Sequence, residues 1–333
     1  MAKRLKKEEY LKGILNSDIA VLSQAISLVE SKRNDDEVLS HEILLELLPF
    51  TGKSKRIGIT GSPGVGKSTF IDKFGQIIAE NHSLAVLTVD PSSPISKGSI
   101  LGDKTRMFDL SQKKNVYIRT TASGNSLGGI AKNTFDTLLL CEAAGFEVII
   151  VESVGVGQTE TLIHQLVDCF ILLILGNSGD ELQGIKKGIM EMADIIVITK
   201  ADETNRHLAQ KSQMEFQNAL KLFHHNIEQW KIPVEICSAM ENFNIQKIWD
   251  LTNNFFEFLL NNQLLHKLRS EKSKNWFYHE LNHLIIDIIY KHADFQNQLK
   301  IIVKQLDNNE ILHFEGLKIM NKWLKQNIFG RIS

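Results

Sequence analysis

Gly61-Ser62-Pro63-Gly64-Val65-Gly66-Lys67-Ser68 fills every fixed position of the pattern G-x-x-x-x-G-K-[ST], with Thr69 opening a helix-compatible run behind it. Glycines at 61, 64 and 66 let the backbone turn its N–H groups toward an anion, where side chains would block the approach. Lys67 has the charge to neutralise β- and γ-phosphates, and Ser68 has the hydroxyl to meet Mg²⁺. The following helix would point its positive end at the same phosphates. The plain alternative is a glycine-rich turn without a ligand. The apolar run 56–60 before the pattern and the helical run 69–80 after it supply the strand–turn–helix context that a phosphate loop needs.

Such a loop does not name the base. Thr199-Lys200-Ala201-Asp202 follows the apolar run 195–199, and a carboxylate there can accept from the N1 and N2 protons of guanine, a donor pair that adenine lacks. A site that pairs those donors discriminates strongly, because the wrong base leaves a buried charge unpaired. The usual motif is Asn-Lys-x-Asp, and Thr199 stands in place of Asn, which weakens the expected tie to neighbouring loops. Cys237-Ser238-Ala239 follows a further apolar run, where a guanine-contacting Ser-Ala loop is expected. Only its order after Asp202 gives that short pair weight.

Mg²⁺ takes hard oxygen ligands in near-octahedral geometry, so the Ser68 hydroxyl and the phosphates need carboxylates or waters to complete the set. Three carboxylates are candidates. Glu152 ends the run 148–151 and opens Glu-Ser-Val-Gly, in the place of the Asp-x-x-Gly switch of GTPases. Asp90 ends the run 84–89, and Asp103 lies in Gly102-Asp103-Lys104-Thr105-Arg106. Asp90 could instead cap a turn before Pro91, and Asp103 a helix.

His279-Glu280-Leu281-Asn282-His283 matches the zinc-protease pattern H-E-x-x-H. On a helix the two histidines would share a face. The apolar residues Phe277, Leu281, Leu284, Ile285 and Ile288 fall roughly opposite, which turns the pair toward solvent or another subunit and makes zinc catalysis the weaker reading.

The elements around these residues follow from hydrophobic pattern. Short apolar runs at 56–60, 84–89, 116–120, 148–151, 170–175, 195–199 and 234–237 alternate with helix-like stretches, which predicts a mainly parallel sheet with helices on both faces. If the strands are parallel, the phosphate loop and all three carboxylates gather on one sheet edge. Residues 8–48 show helical periodicity in two blocks, one capped by Ser17 or Asp18 and one by Asn34-Asp35-Asp36, the second stopping before Pro49. Beyond Ser238 no strand run is evident, and helical spacing continues to Ile328. The predicted division is a helical region 1–50, a nucleotide-binding domain 51–262 and a helical arm 263–333.

Composition excludes several classes. The 38 basic and 39 acidic residues leave a net charge of −1, which gives no field to draw nucleic acid or an anionic membrane. No apolar run reaches the roughly 18 to 20 residues that span a bilayer. The opening residues lack the apolar stretch of a secretory signal, and Glu8 and Glu9 argue against a transit peptide. Cys141, Cys169 and Cys237 are widely spaced in apolar contexts, so buried reduced thiols and the cytosol are expected.

Four longer segments resemble the MeaB/ArgK family: 56–69 around the phosphate loop; Val89-Asp90-Pro91-Ser92-Ser93-Pro94 with 98–107; Val151-Glu152-Ser153-Val154-Gly155-Val156-Gly157-Gln158; and 179–190, which opens Gly-Asp-Glu-Leu-Gln-Gly. The likeness spans about 20–330 and is tightest over 56–202. The family's members are GTPases that act as chaperones of adenosylcobalamin-dependent acyl-CoA mutases, methylmalonyl-CoA mutase above all.

The resemblance implies a P-loop domain of the signal-recognition and metallochaperone class, binding GTP or GDP with Mg²⁺, and a C-terminal arm that helps form a homodimer. By position it makes Lys67 and Ser68 the phosphate and metal residues. Asp90, Asp103 and Glu152 become the metal-side and switch constellation, with Glu152 also near the chemistry. Segment 179–187 becomes a further switch toward the mutase, in which Lys186 stimulates hydrolysis; a solvated helix face is the alternative for Lys186. Ser96-Lys97 stands where relatives have Thr-Gly, and 242–244 lacks the glycine usual after the Ser-Ala loop. The competing functions are a nickel-type metallochaperone GTPase, which should carry a His-rich or Cys-x-x-Cys delivery site, an ATP-dependent amino-acid transport kinase, and a nucleotide-gated scaffold with negligible hydrolysis.

Overall fold

The computed structural model describes residues 4–90, 106–122, 127–153, 159–176, 187–221, 227 and 229–329. Its centre is a seven-stranded sheet: β1 (Lys55–Gly61), β2 (Leu84–Asp90), β3 (Val116–Ala122), β4 (Val148–Ser153), β5 (Cys169–Leu175), β6 (Ile195–Thr199) and β7 (Val234–Ile236). The spatial order is β3-β2-β4-β1-β5-β6-β7, and every pairing is parallel. All seven apolar runs of the sequence are these strands.

Both faces of the sheet are covered, which is why the strands are apolar at consecutive positions rather than at alternate ones. On one face Ile57, Ile59, Ile171, Leu173 and Val197 pack with Phe70, Phe74, Trp249 and Phe255 from the helices Lys67–Ile78 and Ile245–Asn261. On the other, Leu172, Ile174, Ile196 and Ile198 meet Ala209 and Phe216 of the helix Arg206–Leu220.

At the N-terminus three helices form, Lys7–Leu15, Ile19–Val29 and Asn34–Leu47, where the pattern suggested two blocks. Asp18 caps the second, accepting from the amides of Ala20 at 2.9 Å and Val21 at 3.1 Å. Ser17 does not cap it; Ser17 adopts φ 59 and donates its hydroxyl to the Ala144 carbonyl at 2.7 Å. The expected Asn34-Asp35-Asp36 cap is also displaced. Arg33 is the capping position and makes no side-chain cap bond, so Asn34 is the first helical residue. Asp36 is instead buried and receives the Ser31 hydroxyl at 2.6 Å.

The opposite, amino edge of the sheet holds a buried ionic network. Arg56 clasps Glu142 with two bonds of 2.8 and 2.9 Å, and Glu142 also accepts the Gly52 amide at 2.8 Å. Arg269 clasps Asp168 with bonds of 2.8 and 2.6 Å and donates to the Ser54 carbonyl at 2.7 Å. Lys272 donates to the carbonyls of His164 and Val167 at 2.8 and 2.6 Å, closing the end of the helix Thr159–Leu166. Burial holds its ammonium below the ordinary lysine value, against the pull of Asp194 and Asp168.

The chain divides into two units, Met1–Ser273 and Lys274–Ser333, and the helix Leu264–Lys291 runs across the division. In the second unit Phe295, Ile302 and Met320 form a small core for the helices Ala293–Asp307 and His313–Leu324. The stripe expected opposite the histidines is solvent-facing: Phe277, Leu284 and Ile288 are each more than half exposed. His279 stacks on Trp276 with ring centroids 5.2 Å apart, while the side chain of His283 lies outside the described residues.

Removing one member of a buried, hydrogen-bonded charge pair strands its partner. Asp168→Ala, which leaves Arg269 and the Arg56 amide without their acceptor, is therefore expected to cost about 3–5 kcal/mol, read from the denaturant midpoint of the purified protein.

Candidate functional site

Parallel pairing sets the site, because every strand delivers its carboxyl end to the same edge. Residue Gly61 ends β1, and a Cβ there would lie 2.5 Å from the Leu173 carbonyl of neighbouring β5, so only glycine lets the chain leave the sheet at this point. Gly66, at φ 96, is the cap of the helix Lys67–Ile78 and takes a left-handed turn that disfavours other residues. Between them Val65 drops its side chain into the core, 1% exposed, and leaves its backbone to the loop.

A cavity of about 620 Å³ opens above this loop, lined by Pro63, Gly64, Gly66, Lys67, Ser68, Thr69, Thr88, Val89, Arg106, Glu152, Ser153 and Lys200. Lys67 folds back to donate to the carbonyls of Gly61 at 2.7 Å and Ser62 at 3.1 Å. Burial lowers its pKa, while the carboxylates of Glu152 and Glu160 pull it upward. The Ser68 hydroxyl donates to Glu152 Oε1 at 3.2 Å. Glu152 is 8% exposed and pairs in register with Ile59 of β1 and Thr88 of β2, so it stands between the phosphate loop and the end of β2. Its neighbour Ser153 donates to Thr60 at 2.6 Å. A hydroxyl and a carboxylate meeting in a polar cavity are hard donors that fit Mg²⁺.

Asp90 ends β2 beside this cavity, and its side chain is outside the described residues; Asp103 and Lys186 lie outside them entirely, as do 154–158 and 179–186.

The residues expected on the base side lie at the ends of β6 and β7. Lys200 has φ 56, and its stem passes over the phosphate loop, 3.9 Å from where a Cβ on Gly66 would sit. Asp202 receives a short hydrogen bond from the Ser238 hydroxyl. The Ala201 amide donates to the Cys237 carbonyl at 2.9 Å, joining the two loops, and Ala239 is half-buried beyond them. The Cys237 thiol is pushed up to about 12 by burial, with Asp202 adding to the shift, so it is an inert part of the wall.

Two departures from motif have a structural answer. Thr199 is buried, and its hydroxyl lies 2.7 Å from the Val65 carbonyl and 3.2 Å from that of Ile174, so the tie to the phosphate loop expected to weaken without Asn is made by Thr. In the segment lacking glycine, Asn242 and Asn244 adopt φ 52 and 60, the left-handed values that asparagine tolerates better than most residues.

Sequence reasoning gave no role to Thr88, Arg106, Ser153 or Glu160. Thr88 had a signal, since it sits two residues before Asp90 on the same strand. Arg106 closes the segment that contains Asp103, yet nothing in its spacing assigned it to the cavity.

Fold and phosphate loop together define a protein of the P-loop nucleotide-binding class. The family described as methylmalonyl Co-A mutase-associated GTPase MeaB matches residues 22–294. GTPase ArgK of Escherichia coli (strain K12) is 38% identical over 322 residues, 96% of this chain and 97% of its own length. The mitochondrial methylmalonic aciduria type A homolog of Mus musculus is 37% identical over 88% of this chain and 74% of its own. The crystal structure of an LAO/AO transport system kinase superposes with a TM-score of 0.78 at 32% identity, covering 98% of this chain and 99% of that one. The chain belongs to the MeaB family of GTPases.

Thr199→Val keeps the shape of the side chain and removes its hydroxyl, leaving the Val65 carbonyl without that donor. The expected loss is about 1–3 kcal/mol of stability for the nucleotide-free protein, with Thr199→Ser close to the parent, both measured by denaturant titration.

Proposed function

We propose that this chain binds GTP with Mg²⁺, hydrolyses it slowly by itself, and uses its nucleotide state to gate the assembly, adenosylcobalamin loading or protection of methylmalonyl-CoA mutase or a related acyl-CoA mutase. The base assignment rests on Asp202, a carboxylate at the end of β6 tied to Ser238 at the end of β7. The partner assignment rests on the family's description as mutase-associated.

In this reading the amides around Gly64 and Gly66 receive the phosphates, and Lys67 exchanges the carbonyls of Gly61 and Ser62 for phosphate oxygens. Ser68 and Glu152, joined by Asp90 and Asp103, hold Mg²⁺, which when bound spreads the negative charge of the reacting phosphates. Lys186 acts as the stimulating cation, worth several orders of magnitude in rate where such a charge is well placed. Asp202 accepts from guanine, with Lys200 and the Ser238-Ala239 loop walling the base.

The exposed apolar residues of 277–288 support a homodimer through the C-terminal arm, proposed to begin at 263. Three buried cysteines, free of disulfides, suit a reducing compartment, and we assign the protein to the cytosol. No helix among the described residues is long and apolar enough to cross a membrane. The kinase alternative is disfavoured by Asp202, and the nickel alternative by a sequence in which Cys141, Cys169 and Cys237 form no Cys-x-x-Cys pair and no His-rich delivery tract is found.

Lys67→Ala is expected to abolish binding of a fluorescent GDP analogue in titrations to micromolar protein. Asp202→Asn is expected to loosen GTP and admit xanthosine triphosphate; an unchanged preference for GTP would sink the base assignment. Capture of a cobalamin-dependent mutase that differs between GDP and a non-hydrolysable GTP analogue is the result expected for the gating role. Single-turnover hydrolysis that the mutase fails to accelerate would favour the scaffold instead.

A further inference from the structure

Beside the base-side loops one carboxylate makes contacts that the nucleotide reading leaves unused. Glu241 lies in the tight turn closed by the paired backbone bonds of Ser238 and Phe243, at 3.2 and 2.8 Å. Its Oε1 accepts the Glu203 amide at 2.9 Å, and its Oε2 accepts Arg206 Nη2 at 3.1 Å. Its own amide donates to Ser238 Oγ at 3.1 Å, the oxygen whose proton goes to Asp202. The Arg206 guanidinium in turn lies 4.2 Å from the centre of the Phe243 ring.

One side chain thus grips both ends of the base site. From the β7 loop it reaches the residue after Asp202 and the first turn of the helix Arg206–Leu220, and its backbone fixes the hydroxyl that orients the Asp202 carboxylate. Arg206 and Glu241 are each more than a third exposed, so their ion pair contributes little to global stability. The value of the contacts is positional. A carboxylate that must meet two donors at fixed points of a base loses binding energy when its own position loosens.

We propose that Glu241, steadied by Arg206, is a positioning residue for guanine recognition, holding Asp202 where it meets the base. The inference rests on the assignment of Asp202 to guanine. The clasp acts on the base and not on the phosphates, and this separates it from a general structural role. Inosine lacks the 2-amino group, so an inosine nucleotide draws less on Asp202 and depends less on the clasp. Pyrophosphate does not depend on it.

The test is competitive titration of the full-length protein with GDP, IDP and pyrophosphate against a fluorescent GDP analogue, for the parent, Glu241→Ala, Glu241→Gln, Arg206→Met and Asp202→Asn, with xanthosine diphosphate added for the parent and Asp202→Asn. Glu241→Ala is expected to weaken GDP about tenfold, IDP by a clearly smaller factor, and pyrophosphate not at all. Glu241→Gln, which keeps an acceptor for the Glu203 amide, is expected to recover most of the loss, with Arg206→Met in between. Equal weakening of all three ligands by Glu241→Ala, or no weakening of GDP, would overturn the clasp. Failure of the underlying assignment has its own signature, since Asp202→Asn would then retain GDP over xanthosine diphosphate whatever Glu241 does. Thermal unfolding of each variant separates loosening of the loop from loss of fold.

Discussion

Everything at the nucleotide edge depends on β1 lying between two parallel neighbours. With β4 on one side and β5 on the other, Ile59 pairs with both Glu152 and Ile171. The phosphate loop therefore leaves the sheet beside the carboxylate that receives Ser68. Gly61 is the narrowest point of this arrangement, pressed against the carbonyl of Leu173. A parallel sheet needs helical crossovers on its faces, and these bury the strands on both sides. The same constraint that gathers polar groups at one edge thus forces the apolar sequence of the strands.

At the amino edge the sheet solves a different problem. Strand beginnings expose unpaired amides, and here they are met by carboxylates that are charged themselves: Asp168 takes the Arg56 amide and Asp194 takes that of Phe170. Asp168 needs a cation in return, and Arg269 supplies it. Buried ion pairs of this kind add little net stability against a well-packed apolar alternative, but they fix one arrangement by making every other one strand a charge. Lys272, three residues along the same helix, closes the carboxyl end of the helix Thr159–Leu166, whose other end follows the segment after Glu152.

The sheet was legible because burial on both faces writes each strand as an unbroken apolar run, and the phosphate loop because glycine spacing reports backbone geometry directly. Less was legible where one residue does another's work. Thr199 reads as a defect in the Asn-Lys-x-Asp pattern, yet a hydroxyl at that depth reaches the Val65 carbonyl. Asn242 and Asn244 read as a missing glycine, yet both take the left-handed conformation. The helix beginning at Asn34 was misjudged for a related reason: Asp36 is the polar residue that matters there, and it serves a tertiary contact instead of a cap. Arg106 and Glu241 were illegible, since a lone cation and a lone carboxylate carry no periodicity, and the contacts of Glu241 lie across the fold at Glu203 and Arg206.

The two halves of the site are built to different standards of rigidity. The phosphate loop is held by β1, by the core packing of Val65 and by Thr199, all among buried groups. The loops at the ends of β6 and β7 are joined inside by the Ala201–Cys237 backbone bond, and only their outer clasp of Glu241 and Arg206 is exposed, where water can compete. A preformed anion cradle accepts any nucleotide through its phosphates, so in the proposed reading discrimination falls to the loops at the ends of β6 and β7, where each imperfectly held donor or acceptor lowers the difference between guanine and its analogues. Ligand state can bias a protein only through interactions that differ between its conformations. In the proposed reading those differences lie in the exposed clasp of Glu241 and Arg206 and around Glu152, not in the sheet that carries them.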